Sequence, residues 1–396
     1  MRTPIDIAVA GAGIAGLAAA AFLARAGHRV TVFDRLAAPA PVGSGLIIQP
    51  VGMAALGALD AADAVLRRSS PIARLFGRVG PSGRIVLDVR YGALNRDVTG
   101  LGVHRADLFD ALHGAAIAAG AVIVSGRTVC GAKRLGVYRM LEFEGHGEAG
   151  PFDLVVDALG ARSPLSKPGR TLPYGALWAN VEHREGFAED ALEQRYEAAR
   201  RMVGVMPIGR ARPDGPLRLA FFWSLREDAY ARWRAAPLEV WREEVLRLWP
   251  DTAPLLDQIA THDELTFARY AHRTAPAATE PSLAHVGDAW HCTSPQLGQG
   301  ANFALLDALA LARALERSAT LDRALHDYAR RRGFHVRLYQ AASFLFTPAY
   351  QSDRAVLPFI RDRIAGPLSR LWPGPPALAA LVAGMWGAPV HAIARK

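Results

Sequence analysis

The pattern of apolar and polar positions near the start of the chain predicts a strand, a helix and a second strand. Apolar residues at Ile7 and Val9 mark the first strand, and an alanine-rich helix follows to about Ala26. The second strand runs from Arg29 to Phe33. Between the first strand and the helix stands the sequence GAGIAG, residues 11–16. This order of elements is typical of a βαβ unit.

The glycine spacing and an acid after the second strand predict that this unit holds a dinucleotide. Gly11 permits a tight turn, Gly13 lets the backbone approach a pyrophosphate, and Gly16 lets the helix pack on the strand. The free N–H groups of the helix N-terminus suit phosphates. Asp34 lies where a carboxylate accepts the hydroxyls of an adenosine ribose, which favours FAD or NAD over a 2′-phosphorylated cofactor. A glycine-rich turn that only packs is the alternative.

The remaining pattern predicts further strands and helices in two groups. Apolar runs predict strands of the first group at residues 122–124, 138–143, 154–156 and 284–288, with a long helix at 301–316. The second group consists of strand-like pieces at residues 174–181, 201–208 and 218–224. A helix with Trp233, Trp241 and Trp249 follows them. Because the dinucleotide-type pattern returns after the second group, we expect a second, α+β domain inserted into the first.

These patterns give a predicted division of the chain. The first domain takes residues 1–72, 98–170 and 275–345, and the inserted domain takes 73–97 and 171–274. Residues 346–396 form a helical tail. A short helix at 377–386 is expected to pack on the body or on a partner subunit rather than rest on a membrane, since it has almost no polar face.

Composition and charge exclude several classes of function. Of 396 residues, 51% are hydrophobic, and the formal charge of +9 is carried almost wholly by arginine, with lysine only at positions 133, 167 and 396. No aromatic–basic interleaving marks a nucleic-acid surface. Cys130 and Cys292 are too few for a disulfide framework or a thiolate metal site, and the histidines lack metal-ligand spacing. The first strand begins close to Met1 and no long apolar run occurs, so we expect a cytoplasmic protein with neither a signal peptide nor a transmembrane segment.

A second cluster with candidate chemistry runs over residues 287–312. Asp288 follows an apolar strand and can accept hydrogen bonds from a polyol chain. Residues 295–300 enter a helix whose positive end would face a ligand. An isoalloxazine ring that becomes an N1 anion on reduction needs such N–H donation where no lysine is near.

Three motifs resemble the class A FAD-dependent monooxygenases of the para-hydroxybenzoate hydroxylase type: GAGIAG at 11–16, HRADL at 104–108 and GDAWHCTSPQLGQGAN at 287–302. The resemblance covers most of the first 345 residues. It implies an α/β fold with a Rossmann-like FAD-binding domain, of the glutathione-reductase-like βαβ type, and an inserted α+β substrate domain. It also implies that NADH or NADPH reduces FAD and that O2 forms a flavin C4a-hydroperoxide. One oxygen would then hydroxylate or epoxidise an electron-rich, fairly apolar small molecule, which is expected to be aromatic.

The resemblance also implies a set of site residues. Arg105 would contact the flavin or its ribityl chain, Asp288 would hold the ribityl hydroxyls, and the 295–300 loop would lie beside the ring. The expected cofactor-binding residues are Gly11, Gly13, Ile14, Ala15, Gly16, Asp34, Arg35, Gly45, Arg105, Gly160, Asp288, Pro295, Gly298, Gly300, Ala301 and Asn302. Apolar candidates for the substrate pocket are Trp178, Met206, Phe221, Phe222 and Trp223, of which all but Phe222 are taken as the expected pocket, against ordinary core packing as the alternative. No catalytic residue and no metal ligand is predicted.

One motif departs from the family. The chain reads DLVVDALGARS, so Leu159 stands where an acid is usual before Gly160. That acid is associated with contacts to FAD and to the nicotinamide cofactor, so its loss leaves open a separate flavin reductase as electron donor. Asp157 is the nearby acid that would point to the same face of the strand.

Three other classes of flavoenzyme are disfavoured because the chain lacks their motifs. A flavin halogenase would show a WxWxIP segment and an early lysine, an amine oxidase a Gly-Gly-Arg cluster where residues 42–45 read VGSG, and a disulfide reductase a redox cysteine pair. A non-catalytic binder that keeps an FAD-type fold is the alternative from another class. The expected partners are a small-molecule substrate and molecular oxygen, and a homodimer is left open.

Overall fold

A computed structural model describes residues 3–37, 44–80, 82–145, 147–212 and 214–387. Residues 42 and 43 of the VGSG stretch and residues 388–396 of the expected tail therefore lie outside the described residues.

The strands, numbered in chain order, are β1 Asp6–Ala10, β2 Arg29–Phe33, β3 Gly45–Ile48, β4 Ser70–Ile72, β5 Arg74–Val79, β6 Ile85–Arg90, β7 Gly100–His104, β8 Val122–Val124, β9 Val129–Leu135, β10 Tyr138–Phe143, β11 Glu148–Phe152, β12 Leu154–Asp157, β13 Arg170–Thr171, β14 Tyr174–Glu182, β15 Ala191–Glu197, β16 Arg201–Arg210, β17 Leu217–Arg226, β18 Thr266–Ala268, β19 Ala271–His272, β20 Thr279–Glu280 and β21 Leu283–His285.

The α-helices are α1 Ile14–Arg25, α2 Pro50–Ala58, α3 Ala62–Leu66, α4 Arg105–Ala118, α5 Tyr230–Ala235, α6 Leu238–Leu248, α7 Ala253–Leu256, α8 Asp288–His291, α9 Gly300–Arg317, α10 Leu321–Tyr350, α11 Val356–Ile360, α12 Gly366–Leu368 and α13 Gly374–Val382. A π-helical turn, Arg361–Ala365, joins α11 to α12.

A six-stranded sheet in the order β20-β21-β12-β1-β2-β8 confirms the predicted βαβ unit. All its neighbours are parallel except β20 and β21. Alanine and leucine favour the helical state, and in α1 they are buried almost throughout. Helices α1 and α9 pack against each other in the largest core cluster. The turn between β1 and α1 is thereby held beside the start of α9.

The second large sheet has seven strands in the order β18-β14-β17-β16-β15-β5-β6. Its strands come from residues 74–90 and 174–268, and all neighbours are antiparallel except β15 and β5. The three predicted strands of this region are confirmed, while β5, β6, β15 and β18 were not predicted. One face of the sheet packs against α6, where Trp241 and Val245 are buried. The other face looks toward the six-stranded sheet across a cavity.

The long helices α9 and α10 and the short helices α11 to α13 of the tail complete the fold. Helix α10 begins at an N-cap hydrogen bond from the Arg323 N–H to the Thr320 hydroxyl. The tail helix α13 packs on the body, since the Tyr339 hydroxyl donates to the Leu381 carbonyl at 2.7 Å. Among the described residues, no helix is both long and apolar enough to cross a membrane.

Candidate functional site

A single cavity of about 910 Å³ brings the two distant predicted motifs together. The first turn of α1, residues 13–15, lines one end, and the 295–301 loop borders the same space. Eleven of the sixteen predicted cofactor-binding residues line it: Gly13, Ile14, Ala15, Gly45, Arg105, Gly160, Asp288, Pro295, Gly298, Gly300 and Ala301. The other five do not line it: Gly11, Gly16, Asp34, Arg35 and Asn302.

The three glycines of the first turn are suited to their positions for different structural reasons. Gly11 has φ of +101°, and a Cβ there would lie 2.7 Å from the Ala158 carbonyl oxygen. A Cβ on Gly16 would lie 1.8 Å from the Gly11 carbonyl oxygen. A Cβ on Gly13 would meet no heavy atom within 4 Å, because it would point into open space. Gly11 and Gly16 therefore shape the turn, whereas Gly13 keeps space beside the helix N-terminus clear.

Asp34 is fixed beside this turn. Its Oδ2 accepts a hydrogen bond from the Ala12 N–H at 2.7 Å, and its Oδ1 accepts one from the Leu36 N–H at 2.9 Å. The carboxylate is half-buried, and Arg35 next to it is exposed. These bonds hold a negative charge at the end of β2, on the turn that leads into α1.

Asp288 and Arg105 bring opposite charges to the cavity wall. Both side chains are open to the cavity, and neither is hydrogen-bonded to another side chain or carbonyl in the described part of the chain. Burial by the surrounding protein raises the pKa of Asp288, while His291, Arg105 and Arg273 oppose that rise. Burial likewise lowers the pKa of Arg105, which Asp288 opposes. Polar groups held in this way have hydrogen-bonding capacity left for a ligand.

The 295–301 loop is shaped by a left-handed glycine and held by an asparagine. Gly298 has φ of +61° and ψ of 29°, a conformation that favours glycine. The Asn302 Oδ1 accepts from the Gln49 N–H at 2.7 Å, and its Nδ2 donates to the Ile47 and Gly298 carbonyls. The Asn302 side chain therefore positions the loop against β3 instead of facing the cavity.

A buried charged network lies beneath this loop. The Asp307 carboxylate accepts from the Gly287 N–H at 2.9 Å and from the Arg332 Nε at 2.7 Å, and it lies 2.6 Å from the His291 Nε2. Burial would raise the pKa of Asp307, but His291 and Arg332 outweigh burial and hold the pKa below its usual value. Arg332 also contacts the His335 Nδ1 at 2.6 Å. The network ties α8, α9 and α10 together behind the cavity.

Arg273 joins two cavity-lining turns, and no sequence motif marks it. Its Nη2 donates to the Gly160 carbonyl at 3.1 Å and to the Asp288 carbonyl at 2.7 Å. Its Nη1 donates to the Lys167 carbonyl at 2.7 Å. One guanidinium thus fixes the turn after β12 relative to the turn after β21.

Asp157 does not replace the acid that is missing at Leu159. Its side chain is fully buried, and its Oδ1 accepts from the Leu159 N–H at 3.1 Å. Its Oδ2 accepts from the Ser163 hydroxyl at 2.7 Å and lies 2.8 Å from the His285 Nδ1. All of this carboxylate's contacts are internal, so Asp157 is not free to act in place of an acid at position 159.

The structure corrects two of the four expected pocket residues. Trp178 and Met206 line the cavity, and Phe222 does so too, with its ring centroid 4.8 Å from that of Trp178. Phe221 and Trp223 belong instead to the core on the other face of the seven-stranded sheet, where Phe221 meets Trp241 edge-on. Alternate residues of a strand point to opposite faces, so residues 221 and 223 cannot share the face of residue 222.

We call the part of the cavity beside the seven-stranded sheet its apolar end, and the charged side chains described there already have partners. Asp88, which lines the cavity, accepts at both carboxylate oxygens from Arg74 at 2.7 Å. Arg269 donates to Glu227 at 2.9 Å, and Arg361 donates to Asp362 at 2.7 Å. A further polar group at this end is the Tyr270 hydroxyl, which accepts from the Trp178 Nε1 at 3.2 Å. Among the described residues that line the cavity, Asp288 and Arg105 are the charged side chains without a hydrogen-bonded partner.

Comparison with known proteins identifies the class. The family described as an FAD binding domain matches residues 4–341, so the chain belongs to that family and is a class A FAD-dependent monooxygenase. Its cofactor is FAD, with NAD(P)H the reductant typical of the family. The open space at Gly13 and the uncommitted Asp288 carboxylate fit that cofactor. The predicted family and fold class are thereby confirmed.

Particular relatives cover most of the chain. A putative 2-heptyl-3-hydroxy-4(1H)-quinolone synthase, AqdB1, from Rhodococcus erythropolis is 29% identical over 331 residues, which are 81% of this chain and 82% of the relative. An aurachin C monooxygenase/isomerase from Stigmatella aurantiaca is 26% identical over 385 residues, 92% of this chain and 94% of the relative. The crystal structure of Klebsiella pneumoniae HpxO complexed with FAD and uric acid shares the fold with a TM-score of 0.80 at 19% identity, covering 98% of this chain and 99% of that one.

Proposed function

We propose that this FAD-dependent monooxygenase hydroxylates a neutral, electron-rich aromatic ring with an apolar substituent, using electrons from NAD(P)H. The observation that carries the proposal is the distribution of charge in the cavity. The uncommitted charges, Asp288 and Arg105, belong to the cofactor motifs, whereas the charged residues described at the apolar end have protein partners. Among the described residues a carboxylate substrate would find no unpaired cation at that end, so a neutral substrate is favoured.

The proposed cofactor site follows the cavity from one motif to the other. The first turn of α1 would receive the pyrophosphate, Asp34 the adenosine ribose, Asp288 the ribityl chain and the 295–300 loop the flavin ring. Bound FAD supplies the electrons and the activation of molecular oxygen. The helix N-terminus of α9 places partial positive charge beside the proposed ring position, which suits a reduced flavin anion.

The residues at the apolar end would exclude water and orient the substrate ring. The tilted pair of Trp178 and Phe222 offers flat apolar surface for an aromatic ring. The Tyr270 oxygen accepts from Trp178, so its own proton is available to a polar ring substituent. Burial raises the pKa of Tyr270, which keeps this donor protonated at neutral pH. Tyr270 is therefore proposed as a positioning residue for the substrate.

The named products of relatives narrow the substrate class to be tested. AqdB1 is named for a 2-heptyl-3-hydroxy-4(1H)-quinolone, and the apolar end of the cavity carries aliphatic side chains at Leu75, Val86, Leu87, Val89 and Leu192. A bicyclic ring with an aliphatic chain suits such a surface. We propose a 2-alkyl-4(1H)-quinolone or a compound of similar chemistry as substrate.

The test is turnover with a charged and an uncharged substrate. The purified flavoprotein should oxidise NAD(P)H and consume oxygen faster with 2-heptyl-4(1H)-quinolone than with 6-hydroxynicotinate, and mass spectrometry should find one added oxygen. Tyr270→Phe should lower kcat/KM about tenfold, as expected for one lost hydrogen bond. Tyr230→Phe, on the other face of the sheet, is the matched control. A preference for the carboxylate substrate would overturn the proposed class.

One observation favours a variant of this function. Leu159 packs in a core cluster with Phe33 and Val129, and no acid takes the place expected at this turn. A separate flavin reductase would then supply the electrons. In that case NAD(P)H alone leaves the bound flavin oxidised, and turnover appears only after a flavin reductase is added.

A further inference from the structure

The exposed apolar side chains of the described residues are concentrated near the C-terminus. Of nineteen such large side chains, twelve lie after residue 330. Seven of them form what we call the tail face: Val356, Phe359, Ile360, Ile364, Leu368, Leu371 and Trp372. Trp372 is 86% exposed, although tryptophan is usually well buried. Exposed apolar side chains gathered on one segment in this way are typical of an interaction site.

The tail face is one side of an ordered helical segment. Five of its residues, from Val356 to Leu368, recur every three or four positions along α11, the π-helical turn and α12, which is the spacing of one helix side. Leu371 and Trp372 follow in the turn after α12. The opposite side is anchored, because Arg361 donates to the Ala349 and Ala198 carbonyls at 2.8 and 3.0 Å. Gly366 on that side lies against β6, where a Cβ would be 3.5 Å from the Val86 Cα. The apolar stripe is therefore presented on a fixed surface.

The charge around the tail face is positive. Arg354, Arg363 and Arg370 are exposed along the same segment. The two carboxylates of residues 352–372 are taken up, because Asp353 pairs with Arg226 and Asp362 pairs with Arg361. Exposed arginines among apolar and tryptophan side chains suit an anionic lipid surface, where the aromatic ring lies at headgroup level and the guanidinium meets phosphate.

The tail face also adjoins the cavity. Ile360 and Leu345 are exposed and at the same time line the cavity, together with Leu357 on α11. We propose that the tail face docks the protein on an anionic lipid bilayer, with the helical segment lying in the interface. A second copy of the chain fits less well, since a twofold contact would bring the tail-face arginines of the two copies together. Docking does not depend on the proposed substrate.

The test is binding of the flavin-loaded full chain to sedimented vesicles. We expect binding to vesicles of phosphatidylcholine with 30 mol% phosphatidylglycerol, weakening with salt, and much weaker binding to pure phosphatidylcholine. Arg354→Gln with Arg363→Gln should lower the partition coefficient about 30-fold, at about fivefold per arginine. Phe359→Ser with Trp372→Ser should lower it at least about tenfold. Val240→Ser, an exposed apolar residue elsewhere, should leave it unchanged.

Melting temperature and flavin content of each variant show that it is folded. Equal sedimentation with and without anionic lipid overturns the proposal, as does binding that the tail-face variants leave unchanged. A dimer in light scattering that Phe359→Ser with Trp372→Ser dissociates, without vesicle binding, would assign the surface to a second copy instead.

Discussion

Adding a side chain at Gly13 and adding one at Gly16 should have opposite effects on folding and on FAD binding. A side chain on Gly13 meets nothing in the protein within 4 Å, and its φ of −79° and ψ of −174° are open to any residue. Gly13→Val should therefore cost the folded chain about 1 kcal/mol, from the poorer N-cap. Three added carbons in the proposed pyrophosphate position should weaken FAD binding by about 3 kcal/mol or more, which is about 150-fold.

Gly16→Ala should behave in the opposite way. Its Cβ would lie 1.8 Å from the Gly11 carbonyl oxygen, and that backbone is held between β1 and α1. The expected cost to folding is at least about 4 kcal/mol, because backbone rather than a flexible side chain must move. Gly114→Val, at an exposed position of α4 with nothing within 4 Å, is the control.

The assays separate folding from binding. Thermal unfolding of the flavin-free protein measures stability, and quenching of FAD fluorescence during titration measures affinity. Gly13→Val should melt close to the parent protein and lose flavin on gel filtration, whereas Gly16→Ala should melt far lower. Parent-like FAD affinity in Gly13→Val would refute the placement of the pyrophosphate at this turn.

Three further outcomes follow from the packing and the buried charges. Phe221→Ala should lower the free energy of unfolding by about 3–5 kcal/mol without changing substrate KM, and Phe222→Ala should raise KM, which steady-state kinetics and denaturant unfolding would check. Asp307→Asn leaves Arg332 buried without its carboxylate and should cost about 3–5 kcal/mol, against at most about 1 kcal/mol for Asp60→Asn in an exposed pair; similar melting temperatures would contradict this. Burial and Arg332 lower the pKa of His335 to about 3. The folded state thus binds this proton less readily than the unfolded state. The contribution of His335 to the free energy of unfolding is therefore fully present above about pH 6.5, and it falls by about 1.4 kcal/mol per pH unit toward pH 3. His335→Gln should flatten the slope of unfolding free energy between pH 4.5 and 6.5, and an unchanged slope would count against this origin.

The sequence predicted the elements whose patterns are local. The βαβ unit was recognisable because its glycine spacing, alanine-rich helix and terminal acid agree over thirty residues. Strand β15 was missed because ALEQRYE has no alternation that separates a strand from a helix. It is a strand because it exchanges backbone hydrogen bonds with β16 on one side and β5 on the other. That pairing is a tertiary effect, which propensity alone does not encode.

The pocket residues show a second kind of limit. Strand β17 is buried on both faces from Leu219 to Ser224. It therefore has no alternation of polar and apolar residues that would distinguish one face from the other. The sequence therefore indicated that the strand has aromatic residues near the site but not which of them face it. Arg273 was missed for another reason. It bonds to carbonyl groups, which every residue has, so no pattern of side chains announces its role.

The three hydrogen bonds of Arg273 have a consequence for ligand entry. Because they connect the ends of two strands within the folded chain, the separation of those turns is set during folding and not during association. Capture of the cofactor then requires little ordering of the backbone at this wall. Arg273→Met should consequently slow the association of FAD with the protein and increase the entropic cost of FAD binding, even though the Arg273 side chain is hydrogen-bonded only to protein groups.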